Sequence, residues 1–520
     1  MEVANLSKKK AVVIGAGLGG LAVALRLAAR GWAVTVCERT AAPGGKMNRW
    51  ETRGYRFDTG PSLITMPWVF QELFAAAGAS LQDHLELLPV EPLAEYRFDD
   101  GVRFTHTASL PDWLATVRRC EDGDAAGFLD FMALGARLFE LSQATFFRQS
   151  PWERPDAFPG RALRRVPLRR AWGRYDRTVR HFLRSPHLRQ MFERYITYVG
   201  SSPYRAPATL AVIPYVEWAF GGWHVRGGLY RIVEAIAGLA QRAGVELLMN
   251  APVAAIERHA GRAVGVALAD GRRLPAEVVI MNGDAARLPR LLGDRNDPGL
   301  PEPRRSTSGL IFLFALPRTL HGHAHHTVCF SADYAAEFRQ LFDERRFPDD
   351  PTVYVNMPSR SDRSLTPGEG ETVFVMANAP ANDGDVWDEA MTAGARERVL
   401  ARLRRAGLPD FARDAVATAC WTPRRMAEQY DMPGGAIYGQ VSHGWRGAFL
   451  RPPNRDRRLR GLYLVGGSTH PGGGTPTVLS PAELAWLWEE VIAPFPLAPG
   501  AEVSLEANPG TLTAAHAAVL

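Results

Sequence analysis

Cysteine is scarce. Four occur among 520 residues, at Cys37, Cys120, Cys329 and Cys420, far apart and with neither a CxxC pair nor a nearby histidine. That spacing argues against a disulfide framework or a structural zinc, and the thiols read as free in a reducing compartment. A long apolar run is also missing. The nearest approach, Ala11 to Leu25 behind Lys8, Lys9 and Lys10, copies the charged and apolar regions of a signal peptide, but it holds 15 residues, four of them glycine. About 20 apolar residues are needed to span a bilayer, so the expectation is a cytoplasmic chain with no transmembrane helix. One-sided charge is absent too: 61 Lys and Arg stand against 55 Asp and Glu, a net of +6. So small a surplus suits an anionic cofactor or an anionic membrane surface and gives no reason to expect nucleic acid. No internal repeat is found.

What is present is an ordinary globular composition, 46% hydrophobic and 22% charged, long enough for about three domain-sized units. Residues 11–38 read as strand, glycine turn, helix and strand. Ala11 to Ile14 is apolar and β-branched, Leu21 to Arg30 is an Ala/Leu helix stopped by Gly31, and Ala33 to Val36 is a second buried strand. The turn is Gly15-Ala16-Gly17-Leu18-Gly19-Gly20, a GxGxxG directly after a strand. Gly15 permits the tight turn, Gly17 lets backbone approach a pyrophosphate, Gly20 lets helix pack on strand, and the helix start supplies amides. Glu38, followed by Arg39, ends the second strand where a carboxylate would accept from an adenosine ribose, which disfavours a 2′-phosphate and hence NADP.

Two further glycine turns, Ala42 to Lys46 and Gly54 to Ser62, follow at once. They suggest a chain that stays beside an extended cofactor, with Gly45, Gly60, Pro61 and Ser62 along it and Lys46 available to the phosphates. FAD is favoured over NAD. A helix-like segment from Leu229 to Ala243, strand-like stretches from Glu246 through Val253 to Ile280, and a late strand, Leu462 to Val465, supply more of the same domain. The late strand runs into Gly466-Gly467-Ser468-Thr469-His470-Pro471-Gly472-Gly473-Gly474-Thr475-Pro476, suited to meeting the flavin end. Dinucleotide signals thus sit at the beginning, middle and end, so the expected fold is an α/β, Rossmann-like FAD domain (8–90, 223–300, 451–494) interleaved with a substrate domain of mixed sheet plus helices (91–222, 301–450) and a tail (495–520).

On these motifs the chain resembles the bacterial and fungal type of phytoene desaturase, FAD-dependent carotenoid desaturases and related carotenoid oxidases. Further matching residues are Gly227-Gly228-Leu229-Tyr230 after Trp223, Asn282-Gly283-Asp284, His325-His326-Thr327, Asp333-Tyr334, Tyr354 to Pro367, Gly439 and Arg451-Pro452. The resemblance runs from about Lys10 to Pro494. Its late turn is specific to the family, whereas its N-terminal part is shared with amine and protoporphyrinogen oxidases. It implies FAD as the tightly bound redox cofactor, an elongated apolar polyene as substrate, oxygen or a membrane quinone as electron acceptor, and peripheral membrane attachment. Desaturation would be mostly positioning. End-group oxidation to an aldehyde, 3,4-desaturation of hydroxylated carotenoids, and isomerisation without net oxidation stay open.

Two departures stand out. Gly467 occupies a place where many relatives carry an acid that meets the ribityl chain. Ser480-Pro481-Ala482-Glu483 is a capping box that would start the last helix at Pro481, whereas the family's flavin-facing helix would begin near Thr477, with Thr477 and Val478 at the pyrimidine edge. We expect Pro481 to lie within that helix's first turn. Arg161 to Arg189 holds ten arginines among Trp172, Tyr175 and Phe182, either a solvated face or a membrane-surface patch. His321, His323, His325 and His326 cluster without a carboxylate or thiol at supporting spacing, so no metal is expected. Asp333, Asp362 and His443 read as structural, no general base is identified, and the segment from Pro494 reads as a weakly ordered tail.

Overall fold

The computed structural model describes residues 8–147, 172–294, 299–383 and 386–479. The capping box at Ser480, the tail, and the arginines from Arg161 to Arg170 lie outside the described residues.

Strand Lys10–Ile14 is the centre of a five-stranded parallel sheet ordered Leu462–Leu464, Val278–Met281, Lys10–Ile14, Ala33–Cys37, Glu246–Leu248. Val13 lies between Ile280 and Val36, and Met281 beside Leu464. Parallel strands are covered on both faces, which is why these segments read as unbroken apolar runs. The helices Leu18–Ala29 and Tyr230–Arg242 pack together beside the sheet. In the second helix Tyr230, Ile232, Val233, Ile236, Ala237, Leu239 and Ala240 are buried, a stripe of helical period. An antiparallel meander, Val253–His259, Arg262–Leu268 and Arg273–Pro275, contributes Ile256, Val266 and Leu268 to one core with Val12, Val279 and Met281. Three separated stretches of chain therefore build one sheet.

A second, seven-stranded sheet is ordered Ala417–Trp421, Ser308–Leu316, Glu371–Ala379, Val353–Asn356, His326–Cys329, Ala94–Arg97, Arg103–His106. It is antiparallel except where His326–Cys329 runs parallel to Ala94–Arg97, a mixed sheet as expected. Every residue of Ser308–Leu316 is buried. Leu310, Phe312 and Phe314 face one core, with Val373 and Val399, while Ile311, Leu313 and Ala315 face another, with Tyr55, Phe57 and Trp421. Helices Asp124–Ala144, Tyr175–Phe182, Pro186–Arg194 and Val212–Phe220 close around Trp113, Phe128, Phe131 and Phe192. Among the described residues no helix is long and apolar enough to cross a membrane.

Two expectations change, and one falls partly outside the described residues. The first helix spans Leu18–Ala29 and begins inside the glycine motif, because Gly17 is its N-cap and Gly19 and Gly20 form its buried first turn. The last described helix, Thr475–Leu479, opens ahead of Ser480, so the capping box does not start it, while Pro481, expected within its first turn, lies outside the described residues. In the arginine-rich segment Tyr175 and Phe182 turn into the aromatic core while Trp172 stays 58% exposed. Arg174 there is committed to Asp176 at 2.6 Å.

The structural reading of Asp333, Asp362 and His443 matches their contacts. Asp333 caps helix Tyr334–Phe342 through Ala336 N at 2.8 Å. Asp362 is buried and accepts from Gly227 N at 2.6 Å and Ser364 N at 3.0 Å. Burial pushes its carboxyl up, but the neighbouring His224 ring, 3.8 Å away, and the hydrogen bonds from Gly227 and Ser364 outweigh that and hold it well below the usual range. The His443 ring accepts the Ser202 amide at 3.0 Å, and burial pushes its pKa down to about 4 from 6.5. A histidine held neutral takes up its proton only on unfolding, so its contribution is complete above pH 6.5 and is lost as pH falls towards 4. The slope is about 1.4 kcal/mol per pH unit for each such proton. His443→Gln keeps an acceptor for Ser202 and should flatten the fall of Tm between about pH 6.5 and 4.5, measured by calorimetry; parallel curves for the two proteins would contradict this.

Candidate functional site

The C-terminal ends of Lys10–Ile14, Val278–Met281 and Leu462–Leu464 lie side by side, the place where open α/β sheets bind ligands. At the first, Gly15 takes φ +98° and donates to Cys37 O at 2.8 Å. Leu21 N returns to Gly17 O at 2.9 Å, which leaves the first-turn amides of Leu18, Gly19 and Gly20 without intrahelical acceptors. Such a turn is an anion seat. Glu38 is buried and binds this corner to the next: Ala16 N donates to one carboxylate oxygen at 2.8 Å, Thr40 N and Oγ1 to the other at 2.9 and 2.8 Å. The oxygen bonded to Ala16 N keeps a lone pair for another donor.

The loop Ala42 to Lys46 folds onto the same corner. Gly44 N donates to Ala16 O at 2.8 Å, and the Tyr230 hydroxyl to Pro43 O at 2.8 Å. A Cβ on Gly45 would stand 3.3 Å from Gly17 Cα, and one on Gly60 only 1.9 Å from Lys46 O. Lys46 itself sends its ammonium to Ile437 O at 2.5 Å, in the field of Asp284, and burial pulls its pKa down against that charge. Beyond Gly60 and Pro61, the Ser62 hydroxyl meets Tyr354 OH at 2.7 Å.

Asn282, directly after Val278–Met281, joins the first corner to the last. A Cβ on Gly17 or Gly20 would come within 2.7 or 2.9 Å of its Oδ1, and one on Gly19 or Gly466 within 2.9 or 2.8 Å of its Nδ2. Nδ2 donates to Val465 O at 3.2 Å, while the buried Oδ1 has no partner among the described residues. The late turn is held by Arg451, which donates to Tyr438 O at 3.2 Å, Gly467 O at 3.5 Å, Gln440 O at 3.2 Å and Ser442 Oγ at 3.1 Å. Burial lowers this guanidinium's pKa to about 10, with Asp284 opposing. Asn454 Nδ2 adds bonds to Leu464 O at 3.1 Å and His470 O at 2.8 Å. Thr477 Oγ1 donates to Gly472 O at 2.9 Å and Val478 N to Gly474 O at 3.1 Å, which fixes the start of the last helix.

Of the residues singled out in the sequence, Gly15, Gly17, Gly20, Glu38, Gly45, Lys46, Gly60, Gly466, Gly467, Thr477 and Val478 thus line this convergence or its supporting turns. Arg39 is exposed and donates to Glu428 O at 2.6 Å, and Val253 pairs with Leu268 in the meander. Asn282, Asp284, Arg451 and Asn454 also stand in this candidate site, which no single-residue reading revealed. The partnerless Oδ1 of Asn282 and Oδ2 of Asp284, the free first-turn amides and the spaces only glycine leaves all fit a dinucleotide with its pyrophosphate over Gly17. A valine at Gly17 would drive carbon into Asn282 and over those amides. Gly17→Val protein should emerge with under about a tenth of the wild-type flavin per chain by absorbance; full yellow colour would overturn the assignment.

Comparison with known proteins agrees with this geometry. Residues 18–484 match the family of flavin containing amine oxidoreductases. The chain is 34% identical over 488 residues to the 4,4'-diapolycopene oxygenase of Methylomonas sp, covering 92% of this chain and 97% of that protein. It is 36% identical over 505 residues to the hydroxyneurosporene desaturase of Rubrivivax gelatinosus, covering 92% and 93%. An oxidoreductase structure from Methanosarcina mazei shares the fold with a TM-score of 0.60 at 17% identity, over 92% of this chain and 99% of that one. FAD is accordingly the cofactor, and the protein is an FAD-dependent oxidoreductase. The chain belongs to the flavin containing amine oxidoreductase family, in its group of carotenoid desaturases and oxygenases.

Proposed function

We propose that this chain is a carotenoid desaturase, which introduces double bonds into a long apolar polyene by removing a hydride and a proton from neighbouring carbons. Bound FAD supplies the flat electrophile that accepts the hydride. The chain's own residues hold and orient. First-turn amides of Leu18 to Gly20 seat the pyrophosphate, Glu38 addresses the ribose, Asn282 sets the two glycine corners at one distance, and Arg451 with Asn454 fixes the late turn. Backbone groups take over where Gly467 replaces an acid. The aromatic core around Trp113, Phe128 and Phe192 helps keep the interior dry. The observation that carries the reading is the meeting of the first and last glycine corners at Asn282, in a chain matching carotenoid enzymes over nine-tenths of its length.

A second reading, oxidation of a chain end to an aldehyde, is favoured by the 34% identity to an oxygenase. Expression in cells accumulating phytoene, neurosporene or diaponeurosporene, with pigment analysis by chromatography and mass spectrometry, separates the two. Loss of two hydrogens is the expected result. Gain of oxygen establishes the oxidase, and unchanged mass with altered retention an isomerase.

A hydrocarbon substrate resides in the bilayer, so we infer peripheral attachment to the membrane surface and reoxidation by oxygen or a quinone. Exposed Trp172 beside Arg174 to Arg189 supports the first point. Replacing the arginines from Arg161 to Arg189 with Gln should weaken sedimentation with anionic liposomes, most at low salt; equal sedimentation would return the segment to a solvated face.

A further inference from the structure

Forming a double bond leaves a proton behind. One C–H bond departs with its electron pair as hydride to FAD, while the neighbouring C–H bond leaves its pair in the new double bond and releases H+. A dry interior needs groups that both donate and accept to carry that proton away. Such groups run inward from the cradle. Two residues beyond Gly60, whose missing Cβ leaves room for Lys46 O, the Ser62 hydroxyl meets Tyr354 OH at 2.7 Å, and Tyr354 OH meets His326 Nδ1 at 2.7 Å. Serine, tyrosine and neutral histidine each hold an exchangeable proton and a lone pair, so both links can run in either direction.

Behind His326 stand two more imidazoles. The His325 ring centre lies 4.4 Å from that of His326 and 5.3 Å from that of His224. His224 is fully buried and the other two are 4% exposed. His325 Nδ1 is engaged by Ser361 Oγ at 2.7 Å. Four ring nitrogens, both of His224 and the Nε2 of His325 and of His326, have no hydrogen-bond partner among the described residues. Buried polar atoms are seldom left in that condition, and where several converge the usual partner is ordered water, which makes two to four bonds. Burial, with the neighbouring rings adding to it, holds His325 and His326 well below the usual imidazole range, His326 at about 3, so each keeps one donor and one acceptor nitrogen.

The far side of the cluster reaches solvent. His224 Nε2 is 3.8 Å from Asp362 Oδ2, which accepts from Gly227 N at 2.6 Å. Gly227 and Asp58 line a depression of about 340 Å³ that also includes the exposed Arg56 and Arg231.

We propose that His224, His325 and His326 hold water between them and, with Tyr354 and Ser62, form a proton path from the cofactor cradle to that depression. The source of the proton rests on the desaturase reading above. As the Ser62 oxygen receives it, Ser62 passes its own proton to Tyr354, Tyr354 passes one to His326 Nδ1, and His326 Nε2 gives one to the water. The water hands it on past His325 and His224 towards Asp362 and the depression. Reoxidation of the cofactor by oxygen or a quinone consumes a proton, and the same links running backwards restore the starting tautomers.

Two measurements test this. A crystal structure of the holoenzyme should show ordered water within about 3.2 Å of at least two of the four ring nitrogens; a dry cluster overturns the path whatever the substrate. In anaerobic single turnovers with an acyclic carotenoid, flavin bleaching and proton release to a pH indicator are followed together, and in wild type the two should coincide. Tyr354→Phe, which keeps the ring and removes the link, should slow bleaching at least about tenfold. His224→Gln, at the far end, should leave release lagging bleaching by a similar factor. Flavin content of each variant reports whether the fold is kept. Bleaching within twofold of wild type in Tyr354→Phe, or release that keeps pace with bleaching in His224→Gln, overturns the path. If no acyclic carotenoid bleaches the wild-type flavin, the desaturase reading fails, while water found among the three rings still sustains the path.

Discussion

The candidate cofactor cradle depends on one wedge, the Asn282 side chain pressed between glycine corners from opposite ends of the chain. The glycines around it are needed for different reasons. Gly15 and Gly466 have φ of +98° and +113°, which an L side chain rarely adopts. Gly17 has an ordinary φ of −69°, and its lack of a side chain matters because Asn282 Oδ1 occupies the place a Cβ would take. The amide group is large enough to fill the gap between turns and polar enough to bond the Val465 carbonyl at 3.2 Å. A leucine of similar bulk would fill the space and leave that carbonyl unpaired.

Strand order gives Asn282 this position. With Val278–Met281 placed between Lys10–Ile14 and Leu462–Leu464, the residue that leaves its C-terminal end is bound to stand between the other two turns. Parallel pairing makes all three turns emerge on one side, and right-handed crossovers bring the chain back to that side after each excursion. The same convergence gathers Lys46, Asp284 and Arg451 in a buried group. Burial lowers the pKa of both cations and raises that of the acid, while opposite charges within the group work against each shift. Arg451 bonds carbonyl and hydroxyl oxygens of the turns themselves, and so it stiffens the backbone that flanks Gly467.

The parts legible in the sequence are those whose signal is local. The βαβ unit showed in apolar runs broken by glycine, and the late turn in five glycines behind a buried strand. Even there the helix start was misplaced by three residues: glycine is a poor helix former, yet close packing against Asn282 puts Gly19 and Gly20 in the first turn. Ser480 to Glu483 made a sound cap pattern, but Thr477 bonds to Gly472 and Gly474 begin the helix sooner. Asn282 stood out only through the family resemblance, and its role as a wedge was not legible because its partners are more than 180 positions away along the chain. Glu217 lies on a helix where charge ordinarily means a solvated face, and only the packing of other helices around it makes it interior.

The buried guanidiniums of the framework are matched with acids. Arg402 is 1% exposed and is matched by Asp350 at 2.9 Å through Nε and by Asp99 at 2.5 Å. Arg305 forms a fork with Asp383 at 2.7 and 2.8 Å, and Arg97 one with Glu95 at 3.0 and 2.9 Å. In each the charge is balanced and the planar donors are filled, the condition under which a buried ion is tolerated. Arg194 sits among phenols, which are weak acceptors, and the nearest acid, Glu217, is already engaged by two tyrosines. Burial pushes that carboxyl's pKa upward despite those bonds, so it is a poor counter-ion for the guanidinium.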